Sequence, residues 1–150
     1  MKKDNPLHQE VQTRLSEDEI LALEGRELDA HVEHIRQPTY TLFKHPGGIS
    51  LRKGESLATI GFYHRSLDAV RPVVEKCVQE CGDRLYLFAL AVVTMPDIYS
   101  LEPEALALEQ RDFMMDGWLL PLGSVSRMID ATASDQGKAV LLAYLRKERA

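Results

Sequence analysis

The residues best placed for chemistry lie where a strand-like run gives way to a helix start. Tyr63-His64-Arg65-Ser66, with Arg71 further along, gathers a phenol, an imidazole and two guanidiniums there. Ligands of α/β-type proteins collect at such strand-to-helix corners. Free amides at the helix start, together with arginines, can hold a carboxylate or a phosphate. The plainer reading is a solvated loop that caps a helix, because a functional loop still needs a pocket around it.

A second constellation is His31-Val32-Glu33-His34, whose imidazoles share one helix face at i and i+3. A metal centre needs a third and usually a fourth ligand. The nearest further histidine in sequence, His45, lies beyond a turn. Cys77 and Cys81 do not complete a set, since they stand four apart within a helical stretch rather than at a helix start. In line with Val73, Val74 and Val78, the two thiols read as core, reduced and inert. Pro46-Gly47-Gly48 sits between two strand-like runs and reads as a hairpin turn rather than a phosphate loop.

No nucleophile–base pair, cofactor fingerprint or metal set stands at meaningful spacing, so no catalytic residue, metal or cofactor is assigned. Triad partners can be far apart in sequence, and catalysis is not excluded on this ground. The net charge of −5 argues against a nucleic-acid role based on overall attraction. The acids are unevenly spread. Residues 17 to 35 hold seven of them and one arginine, and residues 97 to 118 hold six and one arginine. An acidic face of that kind can steer a basic protein partner, although charged faces of amphipathic helices are ordinarily just wet.

Phe113, Met114, Met115, Trp118, Leu119 and Leu120 crowd large adaptable apolar groups beside Gly117 and Pro121. Such groups suit an interface, with an irregular core segment as the rival. Together with Tyr144 on the last helix they are the candidate contact surface, and a two-fold homodimer through this third is expected. The function expected is a non-catalytic protein-binding domain: an adaptor, client chaperone, inhibitor or immunity-type protein, or regulatory subunit. The alternative is a small-molecule sensor or small enzyme using the 63–71 corner as an anion site.

The elements that must position these residues form an α+β pattern. Residues 1 to 15 read as a flexible or partly ordered arm, and residues 16 to 150 as a single domain, within the usual size range. Ser16-Glu17-Asp18-Glu19 is a capping box that opens a helix running to Arg36, with Gly25 a weak spot inside it. Pro38 ends it. Runs 40–43, 49–51 and 57–62, separated by turn residues, predict an antiparallel three-stranded meander.

Ser66 or Asp68 opens a helix carrying Val70, Val73, Val74, Cys77, Val78 and Cys81, closed by Gly82. Leu85 to Val93, apolar on both faces, is expected to be a central strand. With strand 57–62 it could form a βαβ crossover. The last third is expected to be helical, from Pro103 and again from a Ser134 cap. That run of nine apolar residues is about half of what a membrane-spanning helix needs. The first residues contain no apolar segment of the secretory type, so a cytoplasmic protein is expected.

Overall fold

A computed structural model describes residues 9–94 and 131–149. They form an α+β fold: five helices and a four-stranded antiparallel sheet. β1 (Gln9–Glu10), β2 (Thr41–His45), β3 (Gly48–Lys53) and β4 (Ser56–Leu57) lie side by side in sequence order. The expected meander is present as β2–β3–β4, closed by two-residue turns at 46–47 and 54–55. The arm adds the fourth strand, with Gln9 opposite Lys44 and Glu10 opposite Phe43.

The helix predicted from 16 to 36 is two helices, α1 (Glu17–Ala22) and α2 (Gly25–Arg36). The capping box forms as read: the Glu19 amide donates to Ser16 Oγ, and Glu19 accepts from the Ser16 amide. The break falls at the expected weak spot, where Gly25 takes φ +55, a conformation costly for other residues. Breaking there turns α2 onto the sheet. Its Ala30 packs with Leu42 and Leu51 of the strands and with Ile60. Its Leu28 and Val32 join a second core formed with the other helices. α2 is thus sandwiched between sheet and bundle.

α3 (Leu67–Cys81) is capped by Ser66, whose Oγ accepts from the Ala69 amide, and is closed by Gly82 as expected. Pro72 lies inside it, six residues into the helix rather than at its start.

The largest correction concerns residues 85–93. They are not a central strand but α4 (Asp83–Thr94), which follows α3 after the single residue Gly82. Tyr86, Phe88, Ala89, Leu90, Ala91 and Val92 are all buried in it. Apolarity on both faces reports burial in either structure, and period alone does not separate a buried strand from a buried helix. Four leucines and alanines in six positions favour the helix.

The 57–62 strand also shortens, to Ser56–Leu57, and no βαβ crossover exists among the described residues. After Ala58 donates to the Leu51 carbonyl, the chain leaves the ladder. The backbone of Ile60 and Gly61 bonds to side chains of α2 instead.

α5 (Ala133–Arg149) packs on α4, α3, α2 and α1. Its start is capped by Thr132 rather than Ser134: Asp135 donates to Thr132 Oγ1 and accepts from the Thr132 amide. Near its end Arg146 is buried against Glu17 at 3.2 Å and lies over the Phe88 ring. The predicted helix from Pro103 and the segment Phe113 to Leu120 lie outside the described residues. No helix among the described residues is long and apolar enough to cross a membrane.

Candidate functional site: the turn held by two buried carboxylates

The site begins with a stripe on α2. Arg26, Asp29, Glu33 and Arg36 recur at three- and four-residue steps, which places them along one helix face. Asp29 is fully buried and Glu33 nearly so. A buried carboxylate is tolerated only when its lone pairs are met, and here the segment 60–64 meets them.

Asp29 Oδ1 accepts the His64 amide at 2.7 Å, and its Oδ2 accepts His64 Nδ1 at 2.6 Å and Arg26 at 2.9 Å. Glu33 Oε1 accepts the Gly61 amide at 3.0 Å and the Tyr63 hydroxyl at 2.7 Å. Its Oε2 accepts from Gln37. Arg26 also donates to the carbonyls of Ile60 and Gly61, and Arg36 donates to the Tyr63 oxygen at 2.9 Å.

The turn is therefore latched to α2 by backbone and side chain together. Burial, and then donation to Glu33, push the Tyr63 hydroxyl up to about 12. Its hydrogen bond with Tyr63 in turn raises the Arg36 guanidinium. Gly61 is required by close approach, since a Cβ there would sit 2.8 Å from the Tyr63 ring.

The four residues singled out at this corner part company. Tyr63 and His64 come together on anions, but the anions are the chain's own Glu33 and Asp29. Arg65 turns away and lays its guanidinium 4.3 Å from the centre of the Phe62 ring. Arg71 is exposed on α3, with no ion pair among the described residues.

Sequence reasoning missed Phe62, Arg26, Asp29 and Glu33. Phe62, expected as the last residue of a strand, is 45% exposed, with Arg26 also 4.1 Å from its ring centre. The alternation Arg26, Asp29, Glu33, Arg36 on one helix face was the available signal. Seven acids within residues 17–35 hide it, because such a run ordinarily faces water. Of those seven acids, Glu17, Asp29 and Glu33 are buried, Glu19 caps its own helix and Glu27 pairs with Lys44.

His31 and His34 lie on α2 near its end, and burial lowers both imidazoles. Among the described residues no group of three or more His, Cys, Asp or Glu is placed to hold a metal ion. Cys77 is buried and Cys81 half-buried, and burial pushes both thiols up. Of the candidate interface residues, Tyr144 is half-buried and donates its hydroxyl to Glu80 of α3 at 2.7 Å. Phe113, Met114, Met115, Trp118 and Leu119 lie outside the described residues. No family model, curated protein or solved structure matches this chain.

Proposed function

We propose that this protein is a non-catalytic protein-binding domain and that Phe62 is its anchor. A single observation carries the reading: an exposed phenylalanine ring is set between two guanidiniums, on a turn whose backbone is fixed from below by Asp29 and Glu33. Aromatic residues and arginine dominate the energetics of interfaces. A turn that is already ordered loses little freedom when it docks.

Leu67 is 53% exposed, and Arg71 follows one helical turn later on the same side of α3. Arg65 and Arg71 carry no carboxylate partner among the described residues. The surface suits an acidic partner segment with an apolar residue to set beside Phe62. An anion-binding sensor or enzyme at this corner is less well supported, because Tyr63 and His64 are committed to internal carboxylates.

The test starts with a partner identified by affinity purification on the full chain, followed by the dissociation constant of the purified pair. Phe62→Ala and Arg65→Glu should each weaken it by roughly thirtyfold or more, the scale of an interface hot spot. Their melting temperatures should stay close to that of the parent. Binding unchanged in both variants would exclude this surface.

A further inference from the structure

A separate, half-open cavity of about 220 Å³ lies on the other flank of α2, lined by residues 13–15, α1, α2 and α5. Leu15, Ile20, Ile35, Leu141 and Leu145 give it apolar walls. His31 lines it too, 95% removed from solvent by its 5% exposure, and no hydrogen bond to its ring exists among the described residues. A ring nitrogen that takes no protein partner and borders the cavity is open to a hydrogen bond from whatever fills it.

Of the other polar groups around it, His34 faces the Tyr40 backbone and the Tyr144 hydroxyl is given to Glu80. Arg14 and Glu148, across the rim, lie 3.9 Å from each other.

We infer that this cavity binds a small uncharged molecule with an apolar body and one hydroxyl, of the substituted-phenol class, with the hydroxyl on His31. Size supports this: an apolar cavity of about 150 Å³ holds benzene, so this one has room for a ring with two small substituents. Chemistry narrows the headgroup. A hydroxyl both donates and accepts, and it satisfies an imidazole in either tautomer. A carboxylate only accepts, so it pairs with a ring nitrogen only where that nitrogen carries the proton, and it would set its charge among the apolar walls. An ammonium would lie beside Arg14. A more open hollow beneath β1 shares Thr13, Arg14 and His34 with the cavity and gives a route in.

The experiment titrates 4-methylphenol, toluene and benzoate into the full chain and follows the imidazole rings by long-range proton–nitrogen correlation. 4-Methylphenol should produce a saturable shift of the His31 ring nitrogens. Toluene, lacking only the hydroxyl, should bind about two- to tenfold more weakly, the worth of one hydrogen bond. Benzoate should bind more weakly than 4-methylphenol. Leu141→Phe, which fills part of the space, should reduce 4-methylphenol binding while the chain still melts cooperatively.

An absence of saturable shift, meaning that the cavity holds water only, would overturn the proposal. So would equal binding of toluene, tighter binding of benzoate, or full retention of binding in a folded Leu141→Phe variant.

Discussion

α2 and α4 are both twelve-residue helices with long buried stretches, and they are buried by opposite means. α4 carries Tyr86 to Val92 into the bundle as nearly continuous apolar surface, and its stability there is a matter of packing. α2 carries Asp29, His31 and Glu33 inside along with Leu28, Ala30 and Val32. Its interior position depends on donors brought by another segment: the amides of Gly61 and His64, the Tyr63 hydroxyl and the His64 ring. An apolar helix can lose a contact and repack. A carboxylate that loses its donors has nowhere to go but water. The difference makes α2 the element that specifies one geometry for the turn, and α4 the element that adds core.

Truncation on both helices should cost the most and look alike. Asp29→Ala breaks a buried ion pair and strands the donors around it, a loss of about 3–5 kcal/mol. Phe88→Ala empties a buried ring site for a similar loss of about 3–5 kcal/mol. Denaturant midpoints check both. Shape-preserving changes then separate the two helices. Asp29→Asn presents an amide donor where three donors converge and should cost about 1–3 kcal/mol. Leu90→Met keeps apolar volume and should cost less than about 1.5 kcal/mol. Equal tolerance at the two positions would dissolve the contrast.

Tyr63→Phe, which removes one hydroxyl shared with Glu33 and Arg36, should cost about 1.5–3 kcal/mol. It also has a pH signature. The folded state holds the Tyr63 proton more tightly than the unfolded chain, with about 12 against an ordinary 10.0. The resulting stability is complete below pH 10.0 and is lost as pH rises through about 12. Stability curves of parent and Tyr63→Phe should therefore converge across that interval, as followed by urea unfolding at each pH. Smallest of all is the exposed Lys44–Glu27 pair at 3.0 Å, where Lys44→Ala should cost less than about 1 kcal/mol and less again in high salt.

The contrast also explains what the sequence could be made to say. Local signals were legible: the Ser16 capping box, the Ser66 cap, the Gly82 stop and the two hairpin turns are written in neighbouring residues, and each forms. The α+β class followed from them. Two of the departures concern burial by distant partners. Residues 85–93 were apolar enough to be central, but nothing local told strand from helix. Asp29 and Glu33 were polar enough to look wet, because the donors that bury them lie about thirty residues away.

The site was legible by half on the same grounds. Tyr63 and His64 do meet carboxylates, but these are the chain's own, and only the alternation of Arg26, Asp29, Glu33 and Arg36 on α2 hinted at it. Nothing in the sequence showed that Phe62, the end of an apolar run, leaves the sheet and faces outward.

Buried carboxylates of α2 hold the turn in place beneath Phe62. Amide hydrogen exchange at Gly61 and His64 tests it most directly, since neither amide belongs to a helix or strand ladder and each donates to a carboxylate. Both should exchange as slowly as the buried amides of α3. Glu33→Gln should release Gly61 more than His64, and Asp29→Asn the reverse. Exchange at Gly61 and His64 as fast as at the exposed hairpin residue Gly54 would contradict the account.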